Sequence, residues 1–104
     1  MFVTRFAPSP TGPLHLGHAY SAILAHGMAR AEGGQFLLRM EDTDLERCKP
    51  EYDTLIQTDL AWLGLTWDGP ILRQSEHIAR YNFRLEAIDS KGLLYPCSCT
   101  RSDI

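Results

Sequence analysis

The chain has 104 residues, enough for one domain with a modest core. With 44% hydrophobic residues, 22% charged residues and a net charge of −3, it has the composition of a soluble globular protein and lacks the basic balance of a general nucleic-acid-binding surface. No apolar run approaches membrane-spanning length, the N-terminus does not read as a secretory leader, and three cysteines make a poor disulfide framework, so a cytoplasmic protein with no membrane partner is expected.

Met1 to Phe6 is a short apolar piece that predicts a buried strand, with Arg5 near its end. The next seven residues, Ala7-Pro8-Ser9-Pro10-Thr11-Gly12-Pro13, form a stiff loop. Pro8, Pro10 and Pro13 fix φ there, while Gly12 allows a turn that other residues resist. A proline-free, alanine-rich helix is predicted from Leu14 to about Glu32. Leu16, Ala19, Ala22, Ile23, Met28 and Ala29 recur in it at helical spacing, and His15, Gly17 and His18 stand in its first turn. A strand, a Pro/Gly loop and a helix N-terminus together offer free N–H groups and a positive dipole end to an anion. Two imidazoles add hydrogen bonds to a phosphate there, and Gly17, lacking a side chain, lets a flat ring lie against the helix.

Gly33-Gly34 ends the helix with a left-handed cap. Gln35 to Met40 predicts a second, mostly buried strand, which delivers Glu41 and Asp42 to its C-terminal end, where open α/β sheets gather their ligands. Thr43 to Lys49 is a polar connection, and Pro50 suits a first helical position. The helix from Glu51 to Leu63 presents Tyr52, Leu55, Ile56, Leu60 and Leu63 on one face, with Trp62 beside it, and Gly64 caps it. Trp62 and Trp67 read as core or rim packing. Leu65 to Pro70 and Ile71 to Gln74 read as loop with short extended pieces. Ser75 predicts the N-cap of a helix to Lys91, with Ile78, Tyr81, Leu85 and Ile88 as its apolar stripe and Gly92 after it. Leu93 to Pro96 is extended, and Thr100-Arg101-Ser102-Asp103 has the capping-box pattern of another helix start. Alternating strands and helices favour a parallel-sheet α/β fold.

The run Arg5 to His18, with Glu41-Asp42-Thr43-Asp44 after it, resembles the first signature of the class I aminoacyl-tRNA synthetases, in which a His-x-Gly-His element holds ATP. Within that class the string is similar to the glutamyl subgroup, and the likeness covers essentially the whole chain. The resemblance implies an α/β fold, the N-terminal half of a Rossmann-like nucleotide-binding domain with parallel strands and flanking helices. Residues 1–104 are then the N-terminal part of the catalytic domain of a longer enzyme, with a zinc-binding insertion starting near residues 95–104. The Lys-Met-Ser-Lys-Ser-like loop of the second half has no counterpart here, where the only lysines are Lys49 and Lys91.

The implied activity is ATP-dependent activation of L-glutamate and its transfer to RNA. The favoured acceptor is queuosine in the anticodon of tRNA(Asp), and the alternative is the 3′ end of tRNA(Glu). The tRNA(Glu)-charging members of the subgroup typically need their tRNA before activating glutamate, whereas the queuosine-directed members do not. Catalysis falls to His15, His18 and Thr11, and ATP binding to Pro8, Ser9, Pro10, Thr11, Gly12, His15, Gly17 and His18. Arg5, Phe6, Ala7, Pro8, Ser9 and Glu41 take the glutamate, Arg5 by a carboxylate and Glu41 by the α-ammonium group. Mg²⁺ accompanies the ATP. Cys97 and Cys99 supply two of four zinc ligands, a spacing that is weak by itself, and Cys48 is unrelated to them.

Plainer readings stand beside these. Arg5, at the end of a strand, can instead pair with Glu41 or Asp42. Asp42, Thr43 and Asp44 can be capping and turn residues. A small-molecule nucleotidyltransferase with the same His-x-Gly-His device, or a nucleotide-binding module without catalysis, are the alternatives for the whole chain.

Overall fold

A computed structural model describes residues 1–104. Strand β1 (Val3–Phe6) leads through the proline loop to helix α1 (Leu16–Ala31), followed by β2 (Gln35–Met40), α2 (Pro50–Trp62), a short β3 (Leu72–Arg73) and α3 (Ile78–Asp89). Single 3₁₀ turns cover Gln74–His77 and Arg101–Asp103. The strands form a parallel sheet in the order β1-β2-β3, with Arg5 opposite Leu37 and Met40 opposite Arg73. Parallel strands with helical crossovers are the expected α/β arrangement.

The core follows from strand alternation. Phe36, Leu38 and Met40 point from β2 to one face and are buried. They meet Ala22 and Ala29 of α1, Ile56 and Leu60 of α2, and Phe6 and Leu65. Small alanines on α1 let the helix lie close to the sheet, and the Thr4 hydroxyl ties the two by donating to the Ala25 carbonyl at 2.6 Å. Gly33, at φ +62°, ends α1 as expected. Gly34 must also be glycine, because a Cβ there would collide with the Phe2 carbonyl oxygen. Pro50 takes the first position of α2, and Gly64, at φ +80°, follows its end.

One pair joins the C-terminal end of α1 to the sheet. Arg30 donates to Asp68 at 2.8 Å and to the Thr66 carbonyl at 2.9 Å, and the Asp68 carboxylate accepts the Phe36 N–H at 2.8 Å. A bidentate contact of Arg73 with Asp53, at 2.9 and 3.0 Å, fastens β3 to α2. It holds the Asp53 carboxyl below the usual carboxylate range.

Several expectations need correction. The N-terminal strand is not buried: only Phe6 is, because β1 lies at the sheet edge and the face bearing Val3 and Arg5 is bare. Strand β2, expected to be mostly buried, is buried only on alternate residues, because its second face is bare as well. On α2 only Ile56 and Leu60 are fully enclosed. Trp62 is 85% exposed, whereas Trp67 packs against the core. The third helix does not start at Ser75, which lies inside a 3₁₀ turn, and its apolar stripe is uncovered at Ile78, Leu85 and Ile88. Gly12 is not in the left-handed region. No helix is long and apolar enough to cross a membrane.

Candidate functional site

Prolines give the loop after β1 its shape and deprive it of N–H donors, so it is hung by its carbonyls. The Pro8 carbonyl accepts the Glu41 N–H at 2.9 Å, and the Pro10 carbonyl accepts the Lys49 N–H at 3.2 Å. Thr11 closes a tight turn by donating its N–H to the Ser9 carbonyl at 2.8 Å. With Pro8 and Pro10 buried, Ser9 and Thr11 are left facing outward. Glycine at 12 leaves open space: a Cβ there would have no neighbour within 4 Å.

The loop delivers the chain to the start of α1, where the two histidines cap the helix. The helix begins at Leu16, two residues later than the expected Leu14, so His15 is its N-cap, and its Nδ1 accepts the Gly17 N–H at 3.1 Å. In return the His15 N–H donates to His18 Nδ1, also at 3.1 Å. This reciprocal arrangement satisfies two of the helix's free donors with imidazole nitrogens instead of hydroxyl or carboxylate oxygens. It also sets the tautomers. A nitrogen that accepts an N–H carries no proton, so each neutral ring keeps its proton on Nε2. The rings stack with centroids 3.7 Å apart. Burial, helped by the neighbouring His15, pushes the His18 pKa below the ordinary histidine value. A Cβ at Gly17 would stand 3.0 Å from His15 Cε1, so a larger residue there would crowd the first ring.

Arg5, Phe6, Ala7, Pro8, Ser9, Thr11, Gly12 and His18 line one cleft of about 420 Å³. Five of the six residues expected to take glutamate and most of those expected to take ATP are therefore brought together; Glu41 is not among the lining residues and is tied to the cleft through its N–H bond to the Pro8 carbonyl. Pro10 is packed beneath, and His15 and Gly17 lie at the helix start beyond the lining. Arg5 is exposed and makes no ion pair, so the expected alternative pairing with Glu41 or Asp42 is not formed. Glu41 instead accepts from Arg39 at 2.7 Å, a partner the sequence did not suggest. Two positions apart on an extended chain, they share a side of the strand, and that period-2 relation is the signal that was there to read.

Asp42 and Asp44 take the plainer roles. Asp42 accepts the Ser75 N–H at 2.8 Å and the Ser75 hydroxyl at 2.6 Å. Asp44 pairs with Arg47 at 2.7 Å, which draws the Asp44 carboxyl below its ordinary range. A second cavity of about 440 Å³ lies under Pro10, between Asp42, Cys48, Lys49, Asp53, Arg73 and Ser75. Burial pushes the Cys48 thiol up, as expected of an inert cysteine.

Cys97 and Cys99 are exposed free thiols in an irregular stretch. A hydrogen bond from the Cys99 backbone, then one with its side chain, lowers the Cys97 pKa, which favours the thiolate that metals bind. No third His, Cys, Asp or Glu joins them, so the donor set fits half of a tetrahedral zinc site.

The family model described as "tRNA synthetases class I (E and Q), catalytic domain" matches residues 1–104. A Rhodobacter capsulatus protein named glutamyl-Q tRNA(Asp) synthetase is 61% identical over 102 residues, which span 98% of this chain and 37% of that protein. A glutamate–tRNA ligase of Oleidesulfovibrio alaskensis is 48% identical over 102 residues, 98% of this chain and 22% of that one. The crystal structure of a glutamate tRNA ligase from Elizabethkingia meningosepticum, in complex with its amino acid, superposes with a TM-score of 0.79 and 42% identity, covering 85% of this chain and 19% of its own.

Proposed function

The chain belongs to the catalytic-domain family of the class I tRNA synthetases for glutamate and glutamine, and from that premise we propose that the longer protein it forms part of activates L-glutamate with ATP and transfers the glutamyl group to RNA. The observation that carries this reading is the single cleft joining Arg5–Ser9 to Thr11 and His18 at a helix N-terminus. In this reading Arg5, exposed and unpaired, offers a bidentate guanidinium to one glutamate carboxylate. Glu41, oriented by Arg39, accepts from the α-ammonium group. The free carboxylate of glutamate attacks the α-phosphorus of ATP and pyrophosphate leaves. Charge accumulates on phosphate oxygens as it does so, and preset donors stabilise it. His18 and His15 supply Nε2–H groups, Thr11 a hydroxyl, and α1 its positive dipole end. A hydroxyl of the RNA then attacks the glutamyl carbonyl and AMP departs.

Mg²⁺ bound with the ATP would neutralise phosphate charge. Zinc fits Cys97 and Cys99 as two of its ligands, the others coming from elsewhere in the longer protein.

Queuosine in the anticodon of tRNA(Asp) is the favoured acceptor, supported by one relative bearing that name at 61% identity, against up to 54% for glutamate–tRNA ligases. The alternative is the 3′ end of tRNA(Glu). The full-length protein should be assayed for glutamate-dependent pyrophosphate exchange with and without tRNA, then offered queuosine-containing tRNA(Asp) and tRNA(Glu). Exchange without RNA and transfer only to the queuosine-bearing tRNA are expected. Exchange strictly dependent on tRNA(Glu), with charging of its 3′ end, would replace the favoured acceptor with the alternative. No exchange in either condition would reject the reading.

A further inference from the structure

Residues 41–49, between β2 and α2, carry Glu41 and hold up the proline loop, yet belong to no helix or strand. Their position has to come from specific contacts. Two face the loop: Glu41 N–H to the Pro8 carbonyl and Lys49 N–H to the Pro10 carbonyl. At the β2 end one other contact reaches across the fold. The Asp42 carboxylate takes both the N–H and the hydroxyl of Ser75, 33 residues away, at 2.8 and 2.6 Å. The backbone donor fixes the 3₁₀ turn and the hydroxyl fixes the second oxygen, so the carboxylate cannot rotate without losing a charge-assisted bond. Asp42 and Ser75 are both half-buried, and Asp42 is not among the residues lining the Arg5–His18 cleft.

We propose that the Asp42–Ser75 pair is a positioning clamp for the glutamate end of the cleft. It sets the backbone at Asp42, hence the neighbouring Glu41, whose N–H holds the Pro8 carbonyl and with it the Ala7–Ser9 wall. The chain from Ser75 to the cleft is Ser75, Asp42, Glu41, Pro8, each link a hydrogen bond or a peptide bond. The histidine cap at α1 is held separately, by its own reciprocal bonds. Loosening the clamp should therefore disturb glutamate more than ATP. The nearby Asp53–Arg73 pair also ties distant segments, joining α2 to β3, but it reaches Glu41 only indirectly, through the pairing of Arg73 with Met40. It is the matched structural control.

The inference rests on the proposed glutamate activation, and its test is divided so that the two can fail separately. In the full-length protein, Ser75→Ala, Asp42→Asn, Ser75→Thr and Asp53→Asn are compared with wild type. The first readout needs no activity: hydrogen exchange at the Glu41 amide. Ser75→Ala and Asp42→Asn should each speed it about tenfold, the worth of one hydrogen bond to a charged group. Ser75→Thr should keep it near the wild-type rate, and Asp53→Asn should change it much less than the other two while lowering the melting temperature. The second readout is pyrophosphate exchange, in which the KM for glutamate should rise about tenfold in the same two variants with little change in the KM for ATP. Unchanged Glu41 protection in Ser75→Ala overturns the clamp, as does an equal rise in both KM values or an equal effect of Asp53→Asn. Altered protection in a protein whose wild type activates no glutamate would reject the activity and, with it, the clamp's role in glutamate binding.

Discussion

Residues 6–65 and residues 66–104 differ in how their sequence is used. All nine hydrophobic core residues lie between Phe6 and Leu65, together with buried Pro8 and Pro10, and no residue after Leu65 is buried. Both stretches carry a well-formed amphipathic helix. Helix α2 has Ile56 and Leu60 seated against β2, while α3 leaves Ile78, Leu85 and Ile88 open to solvent. A helix is placed by what its apolar face finds, and periodicity supplies only the face. The catalytic candidates stand on the packed stretch and the two zinc-ligand candidates on the open one. Phosphate donors aimed at a transition state need a rigid base, whereas a pair of thiolates can be ordered by the metal that binds them.

The sharpest way to break this contrast is to truncate one side chain in each stretch. Phe36→Ala removes a fully buried ring from the centre of the core and should cost about 3–5 kcal/mol. Leu85→Ala in the 104-residue chain removes a half-exposed side chain and should stay within about 0.5 kcal/mol. Urea unfolding of the two variants beside wild type measures both. Comparable losses would mean that α3 is packed after all.

Next in size is the chemistry that the packed stretch supports. In the full-length protein, His18→Ala deletes one Nε2–H donor and should lower turnover in glutamate-dependent pyrophosphate exchange by about 10²–10³. Because His18 Nδ1 also caps the helix, His18→Asn is the companion variant, retaining a side-chain acceptor near the His15 N–H. If His18→Asn recovers stability but not turnover, the ring acts on the phosphate. Recovery of both would reduce it to a cap.

The same contrast explains what could be read from the sequence. Every element from β1 to α2 is announced by local signals: helical spacing in α1, glycines where φ is positive, Pro50 at a first helical position. The cleft was legible because most of it is contiguous, from Arg5 to His18. Contacts reaching far along the chain were not. Ser75 looks like an N-cap because serine is good at that, yet its hydroxyl is claimed by Asp42 from 33 residues away. Arg39 takes Glu41, a pairing that its period-2 spacing along β2 ranks above the Arg5 alternative. Burial of β1 is not legible either, because apolar composition does not say how many faces of a strand are covered. Gly12 does not use the left-handed conformation that glycine permits, and a Cβ there would meet only open space at the cleft.

The smallest expected effect separates the stretches by pH. His18 and His26 belong to the packed one, and burial pushes both below the ordinary histidine value of 6.5. His26 sits edge-on to Phe36, with ring centroids 5.3 Å apart, and its Nε2 is buried without a partner. Arg30 nearby opposes its protonation, with Asp68 acting the other way as the lesser influence. A lowered histidine pKa means that, as pH falls below the unfolded value, the unfolded chain takes up protons that the folded chain refuses. Stability is therefore unaffected by these groups above about pH 7 and declines as pH falls from about 6.5 toward the folded values, after which it levels off. Asp53 and Asp68, whose carboxyls their arginine partners hold low, contribute stability that is lost only at more acid pH, below about 4. The two windows are separate enough to test one alone. Urea midpoints at about pH 7.5 and 5.5 should differ in wild type and converge in His26→Gln, in proportion to that residue's share. If His26→Gln keeps the full difference, the proton is excluded at His18, and the helix cap beside the cleft carries the whole pH response.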